Sequence, residues 1–193
     1  MSTRGSVARL TNKPGKEIKF AGVYLHWDNY PSATGATLFK LRNGFFKGDT
    51  EKMLKLLIDE HPAGWSTIND ADFNIEHGYI ENRPSTLNEK AYEEYKRKPQ
   101  CFCHGDRKGK AWKITQNNAS KAGCEYVYAF SPDGKTMIVL SSYRKNGNKM
   151  IGAFGMGDSN ATWKVIGEID LDGNEPANEQ WEKVPIEQGK NKS

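Results

Sequence analysis

The stretch from Phe20 to Leu41 reads F-A-G-V-Y-L-H-W-D-N-Y-P-S-A-T-G-A-T-L-F-K-L, and the rest of the chain is organised around it. Its first half is dense in aliphatic and aromatic residues, which is typical of a strand buried on both faces. Pro31 fixes its own φ and removes a backbone donor, so the strand must end before it. Small residues then lead into a run with helical spacing, for which Ser32 is a suitable N-cap. The stretch therefore predicts a central strand, a sharp corner and a helix over residues 33–42.

The segments after this stretch predict more helices first and strands later. A second helix is expected with Asp49 or Thr50 as its N-cap, and it should stop at His61-Pro62. A third is expected over residues 86–98, where T-L-N-E has the form of a capping box. From residue 101 onward the pattern alternates, with strands expected over 125–130, 136–140, 150–154 and 163–169, and with a hairpin turn at residues 145–148.

These elements together predict an α+β fold. The sheet should be mainly antiparallel, with the helices of the N-terminal half packed on it, because the C-terminal strands follow one another through short turns. Residues 1–175 are expected to form a single domain, and residues 176–193 a polar C-terminal tail.

The composition excludes several classes of protein. Of 193 residues 36% are hydrophobic, and 28 basic residues stand against 24 acidic ones, for a formal charge of +4. That excess is too small to indicate nucleic-acid binding by itself. Three cysteines provide no disulfide framework, and no apolar run approaches the roughly 20 residues that span a bilayer. We therefore expect a cytoplasmic protein without a membrane partner.

His26 and Asp28 form the first candidate site. Two residues apart on an extended strand, they project from the same face, so the carboxylate could orient the imidazole or both could bind a metal. The alternative is structural: His26 packs at the strand end, and Asp28 caps the turn with its side-chain oxygens. Both interpretations stay open at this stage.

The segment C-F-C-H-G-D-R, residues 101–107, is the second candidate site. Cys101 and Cys103 share a strand face and His104 could add a nitrogen, which is part of a zinc ligand set. Cys124 or His26 would have to complete it. The alternative is that the thiols are small buried hydrophobes. No cofactor is expected by default, and zinc is the one cofactor the pattern leaves open.

Candidate binding residues lie in the turn after the central strand, in the long loop expected over residues 63–83, and in the second candidate site. They are Trp27, Asn29, Tyr30, Trp65 and Arg107. As catalytic candidates the sequence offers His26, Asp28, His104 and Asp106. Lysines near Trp112 also add a pattern of basic residues interleaved with aromatics, which could contact phosphates or stacked bases. Whether residues 26–30 and 101–107 approach each other cannot be read from the sequence.

The opening S-T-R-G and the later segment Y-L-H-W-D-N-Y-P resemble a group of small bacteriophage and actinobacterial proteins. Members tend to begin S-T-R and to carry H-W-D-G-Y-P before a helix that contains a glycine. Here Asn29 stands in place of the motif glycine, and the helix glycine is Gly35. The resemblance implies a phage or mobile-element origin and no particular chemistry.

The function expected from these observations is that of a phage-type accessory protein that acts inside the host cell. It would bind a host protein, in host takeover or counter-defence, without catalysing a reaction. One alternative is a metal- or nucleotide-binding domain or a phosphoester hydrolase built on the two candidate sites. A further alternative is a nucleic-acid-binding protein.

Overall fold

The computed structural model describes residues 3–12, 17–75, 78–79, 89–90, 93, 97–104, 109–143 and 162–189. Within these residues nine strands form one sheet. The strands are β1 (Arg4–Leu10), β2 (Phe20–Leu25), β3 (Trp65–Thr67), β4 (Gly78–Tyr79), β5 (Gln100–Cys101), β6 (Ile114–Thr115), β7 (Cys124–Phe130), β8 (Thr136–Tyr143) and β9 (Thr162–Asp170).

The sheet is mixed, which corrects the expectation of a mainly antiparallel sheet. Its order is β4-β5-β3-β2-β1-β7-β8-β9, and β6 pairs with β2 off this path. Strands β7, β8 and β9 do form the expected antiparallel meander. However, β1 runs parallel to β7, β2 to β3 and β4 to β5. The α+β class is retained, with β1 and β2 at the centre.

Two helices follow β2, as the sequence predicts. A wide turn over Pro31–Gly35 runs into α1 (Ala36–Asn43), and α2 (Thr50–Leu54) continues in a wider π-type turn over Lys55–Asp59. The predicted cap at Asp49 is confirmed, because its carboxylate accepts a hydrogen bond from the Lys52 N–H at 2.8 Å. The predicted cap at Ser32 is wrong. The helical segment begins at Pro31, two residues before the predicted start at residue 33, and its N-cap position, Tyr30, makes no side-chain cap.

Each face of the sheet has its own hydrophobic core. Helices α1 and α2 cover one face, where Leu38, Met53 and Leu57 pack against Val23 and Leu25 of β2. On the opposite face, residues of β1, β2, β7 and β8 pack with the segment around β6, and the buried residues there include Phe20, Tyr24, Ile114, Ala119, Cys124 and Val127. Strand β2 is therefore buried on both faces, as predicted for a central strand.

The segment after residue 175 was expected to be a polar tail. It packs instead on the hydrophobic core that α1 and α2 cover. It forms the short helix α3 (Asn178–Trp181), and Trp181 and Ile186 are buried. Gly35 leaves room for this contact, because a Cβ there would lie 2.9 Å from the Trp181 ring. The predicted helix over residues 86–98 and the hairpin at 145–148 lie largely or wholly outside the described residues. Among the described residues, no helix has the length and apolarity that crossing a bilayer requires.

Candidate metal centre and the aromatic surface beside it

Two segments that are distant in sequence meet at one corner of the sheet. His61 follows the helical segment of α2, and the chain turns at Gly64 to enter β3. Gly64 has φ +86°, and a Cβ there would lie 2.3 Å from the Tyr24 carbonyl oxygen, so the close approach of this turn to β2 requires glycine. Strand β5 then pairs antiparallel with β3, which sets Cys101 opposite Trp65. This pairing brings the segment after β5 against the turn that carries His61.

His61, Cys101 and His104 converge at this corner, and we call them the metal cluster. One potential ligand atom from each lies within 4.8 Å of the other two. The Cys101 Sγ and the His104 Nδ1 are 2.9 Å apart, and the two imidazole rings have centroids 5.0 Å apart. His61 and Cys101 are buried, whereas His104 is exposed. Such a cluster could hold a metal ion, with its open side toward solvent.

Cys103 lies beside the metal cluster but is not part of it. Its Sγ accepts a hydrogen bond from the Ala63 N–H at 3.2 Å. Burial is the largest influence on its pKa, and the neighbouring Cys101 thiol acts in the same direction, so the pKa of the Cys103 thiol is raised. This sulfur therefore ties β5 to the turn after His61, and it is mostly protonated at neutral pH.

The metal cluster contains two of the residues that the sequence suggested and one that it did not. Cys101 and His104 were candidates, whereas His61 was interpreted only as part of a helix stop. Cys124, proposed to complete the ligand set, belongs to the core on the opposite face, where burial raises the pKa of its thiol to about 12. The sequence around His61, a helix end followed by a glycine turn, carries no metal-ligand spacing that would have indicated it. Asp106 and Arg107 lie outside the described residues.

The other candidate site, residues 26–30, forms a corner at the end of β2. The Tyr24 hydroxyl and the His26 Nδ1 are 2.9 Å apart. Burial lowers the pKa of His26, and the charge of Arg4 lowers it further. Asp28 adopts φ +53° and is exposed, with its Oδ1 3.4 Å from the Tyr30 hydroxyl.

Two residues expected to bind a partner are used inside the protein. The side-chain amide of Asn29, 1% exposed, donates to the Thr3 carbonyl at 2.9 Å and accepts from the Thr34 hydroxyl at 3.1 Å. Trp65 is fully buried, and its indole N–H donates to the Leu57 carbonyl at 2.8 Å. Trp27 and Tyr30, in contrast, are 46% and 41% exposed.

The two candidate sites are joined by a continuous set of rings, which we call the aromatic surface: Trp112, Tyr24, Phe102, His26 and Trp27. Trp112 and Tyr24 have centroids 5.0 Å apart at 32°, and His26 and Trp27 have centroids 4.5 Å apart at 85°. Phe102, between the two cysteines, lies 6.3 Å from His26 and 6.4 Å from Tyr24. Residues 26–27 and 101–104 are therefore neighbours in space, which the sequence left open.

Comparison of the chain with models of protein families, with curated proteins and with solved structures gave no match.

Proposed function

We propose that the protein binds one zinc ion through the metal cluster. The observation that carries this proposal is the convergence of three potential ligand atoms within 4.8 Å of one another on His61, Cys101 and His104. These residues come from two segments that the fold, rather than the sequence, brings together.

The chemistry of the donor set favours zinc over other common ions. Imidazole nitrogen and thiolate sulfur are its usual ligands, whereas magnesium and calcium prefer oxygen. Three protein ligands leave a fourth tetrahedral position open, and the exposed His104 places that position at the solvent side. A zinc ion bound here cross-links the turn before β3 with the end of β5, and its fourth ligand comes from solvent or from a bound molecule.

Elemental analysis of protein purified without chelators tests this proposal. We expect about one zinc ion per chain, lost in Cys101→Ser and in His61→Gln, because each substitution removes one of three ligands. Cys124→Ser is the matched control and should keep its zinc, since Cys124 lies in the other core. Cys103→Ser should also keep it. Metal-free protein that takes up no zinc on titration at neutral pH would contradict the proposal.

A second candidate function is binding of a macromolecular partner at the corner of residues 26–30. It is supported by the exposure of Trp27 and Tyr30, two large side chains that lie three positions apart on a corner fixed by the buried Asn29. From the sequence, we expect this partner to be a host protein and the role to be that of a phage-type accessory protein. Affinity purification from a bacterial lysate, with wild type and a Trp27→Ala/Tyr30→Ala variant, tests it. Recovery of the same partners by both proteins would argue against this surface.

A further inference from the structure

The aromatic surface offers ring faces of the kind that stack on nucleic-acid bases. Trp112 leans against Tyr24 at 32°, so its indole is held in one orientation, yet 44% of the residue remains exposed. At the other end Trp27, 46% exposed, meets His26 nearly at a right angle. Two exposed indoles are thus fixed by rings beneath them, so the side-chain entropy lost on binding a flat ligand is small.

The backbone beneath Trp112 is fixed as well. The Trp112 N–H donates to the Pro62 carbonyl at 2.9 Å, within the turn that carries His61. Nearby, the Gly109 N–H donates to the Phe102 carbonyl at 2.7 Å. The segment over residues 109–112 is therefore attached to both segments of the metal cluster, which makes the aromatic surface a preformed platform.

Positive charge accompanies these rings. Lys110 and Lys113 flank Trp112, are exposed, and form no ion pair with another described residue. Burial lowers the pKa of His26 and the positive charge of Arg4 lowers it further, while at Tyr24 burial raises the pKa to about 12 against the opposing effect of Arg4. Within residues 24–28 and 109–113 the one acidic residue is Asp28. A ligand with flat rings and negative charge complements this combination.

We propose that the aromatic surface binds single-stranded nucleic acid, with bases stacked on Trp112 and Trp27 and phosphates near Lys110 and Lys113. The proposal rests on the second candidate function, partner binding at this corner, and names the partner's chemistry; it is independent of the zinc site. Single strands fit because their bases are free to stack on exposed rings, whereas duplex bases are already stacked. The lysines indicate a polyanion, rather than the apolar side chains of a host protein, as the occupant.

Fluorescence anisotropy of labelled oligothymidylate and oligouridylate tests the proposal, with a duplex of the same length as comparison. We expect binding at low salt that prefers the single strands. Trp112→Ala and Trp27→Ala should each weaken it by about 5- to 150-fold, the range for losing one base–aromatic stack. Trp112→Phe should restore most of that loss, since it keeps an aromatic face. Phe45→Ala is the matched control, because Phe45 is 42% exposed and contacts Phe46 and Phe73 instead.

The salt dependence tests the role of the lysines. A Lys110→Gln/Lys113→Gln variant should lower the slope of log affinity against log salt by about 1.4, at about 0.7 for each phosphate contact on a single strand. Lys135→Gln, an exposed lysine in the β7–β8 turn, should leave the slope unchanged.

Three outcomes would overturn the proposal: no binding to either oligonucleotide at low salt, equal affinity for the duplex, or equal weakening by Phe45→Ala. If the affinity purification recovers a Trp27-dependent protein while the oligonucleotides do not bind, partner binding stands and its nucleic-acid form fails. Running both assays with and without a zinc chelator separates these results from the occupancy of the metal cluster.

Discussion

The corner at residues 26–30 and the metal cluster differ in how their polar groups are used, although they lie side by side. At the corner, Asn29 bonds to the Thr3 backbone and to Thr34, and the Asp28 carbonyl accepts from the Asn69 amide at 3.0 Å. These bonds fix the chain direction between β2 and α1. At the metal cluster, the imidazole and thiol groups of three residues from two distant segments face one another.

This difference teaches where a sequence signal for a site is informative. The buried Asn29 amide bonds to the Thr3 carbonyl, 26 positions away in the chain, and to Thr34 in the following helical segment, so a polar residue in a turn can serve only to hold the surrounding elements together. Cys and His also form hydrogen bonds within this protein, but their side chains are in addition the usual ligands of zinc. When the fold gathers several of them from separate segments, metal binding is the simplest chemistry that uses them together.

The largest expected difference in stability is between substitutions of Trp65, beside the metal cluster, and of Trp27, at the corner. Trp65→Ala should lower the free energy of unfolding by about 3–5 kcal/mol, because it empties a fully buried site and leaves the Leu57 carbonyl without its indole donor. Trp27→Ala should cost at most about 1 kcal/mol, since this side chain is half exposed. Urea unfolding followed by circular dichroism measures both. An equal loss of stability in the two variants would show that Trp27 contributes to the core as much as Trp65 does.

Zinc should stabilise the folded chain through the metal cluster, and this gain should not depend on the residues of the corner. At a free zinc concentration 100 times its dissociation constant, the free energy of unfolding should rise by about 2.7 kcal/mol, because zinc binds the folded chain preferentially. The gain should disappear in Cys101→Ser and persist in Asp28→Asn. Thermal unfolding with zinc and with chelator measures it. A gain that survives Cys101→Ser would place the ion elsewhere.

Asn29 should matter for stability although it was expected to bind a partner. Asn29→Ala should cost about 1–3 kcal/mol, because it removes a buried amide that bonds to the Thr3 carbonyl and to Thr34. Asp28→Asn is the matched control and should change stability by less than about 0.5 kcal/mol, since Asp28 is exposed and Asn tolerates its positive φ. Denaturant unfolding compares the two. If Asn29→Ala left the stability unchanged, Asn29 would again be a candidate binding residue.

The local elements of the fold could be predicted from the sequence because their signals are local. The buried strand before Trp27, the Asp49 cap and the β7–β8 hairpin each depend on residues close together in the chain. The parallel pairing of β1 with β7 does not. Its partners are far apart, as the Cys124 Sγ donating to the Gly5 carbonyl 119 positions away illustrates. No turn residue indicates a parallel pairing between such distant strands. This pairing is one reason why the sheet is mixed and not antiparallel as expected.

The candidate site shows the same division. Cys101 and His104 were found because they lie close together in one unusual segment. His61 was missed because its own neighbourhood, a helix end followed by proline, has a sufficient structural explanation. The apparent ligand Cys124 was excluded only by the sheet, which places it on the opposite face from Cys101. A metal-ligand set drawn from separate segments can therefore be identified only when the pairing of the strands is known.

The smallest expected effect is a dependence of stability on pH at His26. Its pKa is lowered in the folded protein by burial and by Arg4, so the unfolded chain binds more protons as the pH falls through the ordinary value of about 6.5. The His26 contribution is thus fully present above that pH and is lost below it. Tyr24, Trp27 and Phe102 contact the ring, and the charge of Arg4 acts on it. Among these Tyr24, with a pKa of about 12, stays protonated throughout.

Urea unfolding at pH 5.5 and 7.5 measures this effect, with a chelator present so that zinc release does not contribute. Wild type should lose more stability on acidification than His26→Gln, which keeps a polar group but has no proton to gain. The other histidines are unchanged in this pair of proteins, so the difference in slope belongs to His26. Identical slopes would mean that the imidazole at the corner is as accessible to protons when folded as when unfolded, and the aromatic surface would then be less desolvated than its ring contacts indicate.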